Sequence, residues 1–346
     1  MKKPVQHRED LDLIAALSAR IEAVLAPALT DLSSFALVDF PDHDNVGDSA
    51  IWLGEVAYLT GRGVKPSYVC TLADYSADDL RRLVPSGPIL IHGGGNFGDI
   101  WPRHQQFREM ILAQFPDREI IQLPQTLHYG SEAGINQTAA VIAKHGNFSL
   151  FVRDQRSYDI AANAFRCRVE LCPDMALCIG PLERPSQPQH DLFCLMRTDK
   201  ERSEAMSAAS ADFPRDAIIR DWVGQRRRER TLYKMTSVPL NPFLSPAERK
   251  YQFLNTLAGR QLKRGTQLLS SGRYVMTDRL HAHLISLLLR IPHIVLDNSY
   301  GKVSGFIEQW THESGLFQIA SDLPSALAIY RTLKQENGLR HATDAA

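Results

Sequence analysis

The chain lacks a long apolar run: no stretch approaches the ~18 residues that a membrane-spanning helix needs, so none is expected. It lacks a charge surplus as well. Lys and Arg number 39 against 39 Asp and Glu, which removes any global electrostatic argument for nucleic acid as a partner. Cysteine is scarce and odd in number. Cys70, Cys167, Cys172, Cys178 and Cys194 include no C-x-x-C pair, so neither a disulfide framework nor a cysteine zinc site is indicated. Most lie in apolar runs, where a free thiol behaves as a small hydrophobe, and a reducing cytoplasm is the simplest compartment. There is no H-E-x-x-H, and His281 and His283 are two apart, so on a helix they would not share a face for a metal. The start, Met-Lys-Lys followed by Gln6-His7-Arg8-Glu9-Asp10, has no apolar h-region, so no signal peptide is expected. Repeats and low-complexity tracts are missing too.

What is present is ordinary globular chemistry: 44% apolar and 23% charged residues over 346 positions. That length suits two domains of roughly 150–180 residues. Leu11, Ile14, Leu17, Ile21 and Leu25 recur at helical spacing. Strands are then expected at 35–40, 68–70, 89–91, 119–123, 150–152 and 169–172. Helices are expected between them, near 48–60, 76–84, 104–115, 132–145 and 155–165. Such alternation implies βαβ units and a mostly parallel sheet. The stretch 181–190 has three prolines and no period and reads as a linker. Beyond it 192–196, 274–276 and 294–296 read as strands. The expectation is an α/β protein of two Rossmann-like domains, residues 1–182 and 191–346, facing each other across a cleft.

In open α/β sheets ligands bind beyond the carboxyl ends of strands, so those positions hold the candidates. After the first strand, Asn45 and Asp48 flank Gly47, and either could cap a helix. After the third comes His92-Gly93-Gly94-Gly95-Asn96-Phe97-Gly98-Asp99. Its glycines satisfy G-x-G-x-x-G, but the next strand ends Gln122-Leu123-Pro124-Gln125 without the acid a dinucleotide needs. Close passage of a substrate over Gly94, Gly95 and Asn96 would account for the glycines, with Asp99 as a candidate base. A tight turn with an exposed Asp is the bland alternative. Arg153-Asp154 follows the fifth strand, as a structural pair or an anion contact. In the second half Arg197, Asp278-Arg279-Leu280-His281 and Asp297-Asn298-Ser299-Tyr300-Gly301-Lys302 end strands. Arg153, Arg197, Arg279 and Lys302 together suit a small, multiply charged anion. The basic stretch 220–234, with Trp222, Leu232 and Tyr233 interleaved, is either a solvated helix face or a surface for anionic lipid headgroups.

Taken in order, Asn45-x-Gly47-Asp48, Gly93 to Asp99, Arg153-Asp154 and Asp278-Arg279-Leu280-His281 resemble the polysaccharide pyruvyl transferase family. The segment Asp297 to Lys302 is similar to the exopolysaccharide ketal-pyruvyl transferases of the succinoglycan type. The resemblance implies a GT-B-like fold, phosphoenolpyruvate as donor substrate with no further cofactor or metal, and a sugar acceptor carried on a polyprenyl-linked oligosaccharide. It implies assembly in the cytoplasm on that carrier; peripheral contact with the inner face of the membrane is the expectation that the basic stretch 220–234 raises. It matches Arg279 and His281 to the pair that holds or activates the donor, and Asp99 to the acid after the glycine loop. On this reading His281, Asp99 and Arg279 are catalytic. Arg153, Arg197, Lys302, Asn45, Asp48, Gly94, Gly95, Asn96, Leu280 and Ser299 contact substrate. The competing enzyme is a GT-B nucleotide-sugar glycosyltransferase, for which Asp297 would hold the donor ribose; a non-enzymatic sugar-binding or scaffold protein is the third reading.

Overall fold

The computed structural model describes residues 3–197, 213–224, 227–297 and 302–343. They divide into two compact units. The first comprises Ala15–Gly180 and Gln225–Leu262; the second comprises Met1–Ile14, Pro181–Gly224 and Lys263–Ala346. The chain therefore passes between units at four places, where the sequence suggested a single linker at 181–190. Two of the passages run through helices, 3–25 and 246–270. An apolar helical period shows that a face will be buried but not which core receives it.

In the first unit the strands are β1 (Ala36–Phe40), β2 (Tyr68–Thr71), β3 (Ile89–Ile91), β4 (Gly94–Gly98), β5 (Ile120–His128), β6 (Phe148–Val152) and β7 (Arg168–Leu171). The helices are α1 (Lys3–Leu25, shared with the second unit), α2 (Val46–Gly61), α3 (Ala77–Leu83), α4 (Pro102–Gln114), α5 (Glu132–His145), α6 (Gln155–Ala164), α7 (Arg227–Thr236) and α8 (Pro246–Ser270, also shared). The strands pair in parallel in the order β2-β1-β3-β5-β6-β7, with β4 beside the far half of β5. Every residue of β1 is buried, as expected of a parallel strand covered on both faces. Val38, Ile91, Ile120, Leu150 and Val152 pack with Phe107, Ile111, Ile142 and Ala161 into one core. Helices start where side chains accept the orphan N–H groups: Asn45 for α2, Ser76 for α3, Ser131 for α5 and Asp154 for α6.

The second unit holds β8 (His190–Leu195), β9 (Ile218–Arg220), β10 (Gly272–Thr277), β11 (His293–Leu296) and β12 (Phe317–Ala320), with α9 (Leu280–Leu288), α10 (Lys302–Phe306) and α11 (Leu323–Thr343). Its parallel order is β12-β11-β10-β8-β9. Leu192, Cys194, Met276 and Ile294 pack against Ala326, Leu327 and Tyr330 of α11. Numbered within this unit, the order is 2-1-3-4-5. The first unit begins with the same 2-1-3. Both are doubly wound sheets whose direction of winding reverses beside the first strand.

A chain of imidazoles braces the second sheet. His293 Nδ1 donates to the Ile291 carbonyl at 2.8 Å, which leaves its Nε2 to accept from His283 Nδ1, also at 2.8 Å. His283 Nε2 then accepts from Thr311 Oγ1 at 3.0 Å. Burial pushes both imidazole pKa values down, so the neutral tautomers this chain requires are the stable ones. His283 thus points into the core while His281 is only half-buried.

Candidate functional site

The reversal of winding places ligand sites beyond the carboxyl ends of the two strands that flank it. In the second unit those strands are β8 and β10. Met196-Arg197 follows β8, and Asp278-Arg279-Leu280-His281 follows β10. Thr277 Oγ1 donates to the Leu195 carbonyl at 2.7 Å, and Asp278 Oδ1 accepts from the Arg197 N–H at 2.9 Å. These two bonds lock the strand ends together. Arg279 occupies the N-cap of α9 in an extended conformation, its N–H on Thr277 Oγ1 at 3.1 Å. Its guanidinium Nη2 donates to Asp221 Oδ2 at 2.7 Å, and its Cζ lies 5.9 Å from the centroid of the Trp222 ring. Cation and helix N-terminus therefore coincide, which suits an anion. Leu280 is buried, so only its backbone N–H can serve a ligand. His281 stands in the first turn of the same helix.

Asp278 adds a feature that the motif alone did not reveal. Its carboxyl is buried, and Oδ2 has no hydrogen-bond partner among the described residues. Burial pushes its pKa up to about 6, against the pull of Arg279 and of the Arg197 N–H. Asp221 and Trp222 were likewise not singled out with this motif, because they lie 58 and 57 positions before Arg279 and only the β9–β8–β10 pairing joins them.

In the first unit the flanking strands are β1 and β3. Asn45 Oδ1 accepts from the Gly47 N–H at 3.1 Å, and its Nδ2 donates to Asp48 Oδ2 at 2.7 Å. His43 Nε2 approaches the same carboxylate oxygen at 3.5 Å. Gly94, at φ +129°, lies beside Asp48: a Cβ there would stand 3.7 Å from Asp48 Oδ1. The first and third strand-end motifs thus meet at one place.

A buried pair lies just behind it. His92 Nδ1 is 2.9 Å from Glu55 Oε2, and Glu55 Oε1 accepts from the Gly93 N–H at 2.8 Å. Burial alone would lower the His92 pKa. The Glu55 carboxylate outweighs it and raises the value above the ordinary one. His92 Nε2 is buried with no hydrogen-bond partner among the described residues. Asp39, the fourth residue of β1, has φ +71° and accepts from or pairs with His104 Nδ1 at 3.0 Å. Such a backbone is costly for a non-glycine residue and is a mark of functional sites. Sequence reading missed Glu55, His92, Asp39 and His104. The one available signal was a carboxylate and an imidazole inside otherwise apolar runs.

Asn96 belongs to a second network. Its Oδ1 accepts from Arg108 Nη2 and from Gln125 Nε2, each at 2.9 Å. Arg108 is fully buried and also donates to Gln105 and Gln122. Gly95 is half-buried beside it.

Two expected members lie elsewhere. Asp99 follows β4, which extends the sheet beside β5 rather than forming a ligand loop. It is exposed, and its Oδ2 accepts from the Gly130 N–H at 2.7 Å. At ~3.3 Å per residue it is up to about 16 Å along the chain from Gly94. The turn reading therefore describes Asp99 better than the base reading. The glycines have a local reason too: a Cβ at Gly98 would be 1.8 Å from the His128 carbonyl oxygen, and one at Gly93 would be 2.7 Å from that of Pro124. Arg153 follows β6, two strands from β3. It is buried and ion-paired with Asp174, and its Nε donates to Thr126 Oγ1 at 2.9 Å. With Asp154 capping α6, Arg153-Asp154 is a structural pair rather than an anion contact. Ser299 lies outside the described residues, as does the side chain of Lys302 at the start of α10. Asp297 Oδ1 accepts from the N–H groups of Val303 and Ser304, a capping role that weighs against its holding a ribose. No helix among the described residues is long and apolar enough to cross a membrane.

Comparison with known proteins places the chain in a family. Pyruvyl transferase 1 of Schizosaccharomyces pombe is 33% identical over 86% of this chain and 75% of its own length. EpsO of Bacillus subtilis (strain 168) is 29% identical over 88% of this chain and 91% of its own. An uncharacterized protein of Klebsiella pneumoniae subsp. pneumoniae NTUH-K2044, known from its crystal structure, superposes with a TM-score of 0.56 at 18% identity, over 86% of this chain and 96% of its own; that likeness concerns the fold alone. The family model for polysaccharide pyruvyl transferase matches residues 45–300, from the α2 cap to beyond β11. The chain belongs to the polysaccharide pyruvyl transferase family.

Proposed function

We propose that the chain transfers pyruvate from phosphoenolpyruvate to two hydroxyls of one sugar in a polysaccharide repeat unit, forming a ketal (4,6- on a hexose) and releasing phosphate. The observation that carries this reading is the convergence of Arg279, His281, Asp278 and the Arg197 backbone at the β8/β10 reversal. Phosphoenolpyruvate bears phosphate and carboxylate on three carbons, and a cation set on a helix N-terminus suits it. The acceptor is assigned to the first unit, at Asn45, Asp48 and Gly94. Two doubly wound sheets in one chain support a GT-B-like class of fold. The acceptor is read as lipid-linked and the reaction as cytoplasmic.

In the proposed reaction His281 protonates the methylene carbon, C3, and a cationic centre develops at C2. Arg279 holds the anion and stabilises charge on the leaving phosphate. Two sugar oxygens bond to C2 while the C2–O bond to phosphate breaks. Of the two hydroxyl protons, one restores the acid and the other leaves with phosphate, so the acceptor gains pyruvate less one water. Asp48, held by Asn45 beside Gly94, takes the role of base first considered for Asp99.

Mass spectrometry of an acceptor oligosaccharide incubated with protein and phosphoenolpyruvate tests the reading. A gain of pyruvate less one water, with equimolar phosphate, is expected. A gain of a whole sugar from a nucleotide sugar would establish the glycosyltransferase instead. His281→Ala should keep the fold and donor binding but lose phosphate release; near-normal turnover would remove His281 from the chemistry.

A further inference from the structure

We infer that the segment from α7 to the start of α8 is a docking surface for an anionic lipid membrane. Among the described residues eight large apolar side chains are exposed, and five of them, Leu232, Met235, Val238, Leu240 and Phe243, fall within twelve consecutive positions. Leu240 and Phe243 are 95% and 94% exposed, which for side chains of this size leaves almost nothing of them packed on the protein. A clustered patch of this kind marks an interaction site, whereas scattered exposed residues do not.

The element is built to hold these groups outward. On its inner side Lys234 Nζ pairs with Asp42 Oδ2 at 2.7 Å, and Arg230 Nη2 donates to the Asp42 carbonyl at 3.1 Å. Ser237 is buried and donates to the Tyr233 carbonyl, and Arg260 donates to that of Thr236. Arg228, Leu232 and Met235, spaced four and three apart, therefore share the opposite, exposed face. Beyond the helix, Asn241 Oδ1 accepts from the Phe243 N–H at 3.0 Å. That turn presents Leu240 and Phe243 at its tip, with Pro242 exposed between them.

Charge selects the occupant. From 227 to 248 the chain carries Arg227, Arg228, Arg230 and Lys234 against Glu229 and Glu248. Asp42 offsets Lys234 and Lys65 offsets Glu248, which leaves a surplus of positive charge from Arg227, Arg228 and Arg230 over Glu229. Apolar side chains at a tip with a basic helix beside them match the boundary between acyl chains and anionic headgroups, where such elements seat about 5–10 Å deep. This inference is independent of the donor chemistry.

Co-sedimentation of the full chain with phosphatidylcholine vesicles, with and without phosphatidylglycerol, tests it. Binding should require the anionic lipid and weaken with salt. Leu240→Asp with Phe243→Asp should lower it at least about ten-fold while phosphate release with a water-soluble acceptor is unchanged. Should that variant unfold, Leu232→Gln with Met235→Gln gives the same reading from the helix. Absence of binding to anionic vesicles, or binding indifferent to these substitutions, would overturn the proposal. So would a concentration-dependent dimer, abolished by the same substitutions, in a protein that leaves vesicles alone; the occupant would then be a second copy of the chain.

Discussion

Arg279 Nη2 lies 2.7 Å from Asp221 Oδ2, with both side chains about one-twentieth exposed. The carboxylate sits just past β9 and the guanidinium just past β10, with β8 between them in the sheet. A long side chain at a ligand site loses less entropy on binding when a fixed partner already holds it. Asp221 is therefore a positioning residue for the donor cation.

Asp221→Asn should leave the donor site present but its arginine loosely held. We expect an increase in the KM for phosphoenolpyruvate of about ten-fold, the equivalent of ~1.4 kcal/mol, with a smaller change in kcat. Arg279→Ala should cost more, about 10–100-fold in kcat/KM, as loss of a charge-assisted bond does. Steady-state phosphate release measures both. An Asp221→Asn enzyme with unchanged KM would make the pair merely structural.

Asp48 and Asp99 separate by role. Asp48→Asn keeps the size of the group and an acceptor for Asn45, and should lower ketal formation by about 10²–10⁴-fold, the usual worth of a general base. Asp99→Asn should leave turnover within about three-fold and lower thermal stability slightly, since it weakens only the bond to Gly130. The opposite pattern in turnover would return the base role to Asp99.

The Glu55–His92 pair makes stability depend on pH with a definite sign. The His92 pKa is raised in the folded protein above its ordinary 6.5. Its stabilisation is therefore complete below pH 6.5 and is lost as pH rises through the higher folded value. Thermal melts of the protein and of Glu55→Gln should differ most at mildly acid pH and converge as pH rises. A difference that grows with pH would contradict the pairing.

Asp278 titrates with the same sign from a different cause. Burial raises its pKa from 3.8 to about 6, so stability contributed by the neutral carboxyl is full below pH 3.8 and lost as pH rises through about 6. Asp278→Asn retains an acceptor for the Arg197 N–H without the charge. Relative to it, the native protein should lose up to about 3 kcal/mol between those limits, two units at ~1.4 kcal/mol each. Denaturant midpoints measured across that range check the window.

Much of the fold was legible because parallel strands and amphipathic helices leave period and apolar runs. Helix α5 spans the expected 132–145, and β3 the expected 89–91. Strand β5 runs on past Leu123 through Pro124 to His128, where a proline and polar residues hide strand character. Strand β4 is Gly94-Gly95-Asn96-Phe97-Gly98, with almost no side chains to reveal a period. Apolar runs at β9 and β12 are too short to stand out from loop sequence.

By itself the sequence determined most of the strands and the helices between them in the first unit, the motifs that end those strands and the prominence of Arg279 and His281, because these depend on local period and on chemistry within a few residues. Only the tertiary structure decided which of the motifs share a site. Strand order sets what lies beside what: β1 beside β3 joins Asp48 to Gly94, and β9 and β10 on either side of β8 join Asp221 to Arg279, while the same ordering leaves Arg153 in a buried pair two strands away. Pairing across a sheet depends on the packing of the whole chain, and no window of sequence contains it.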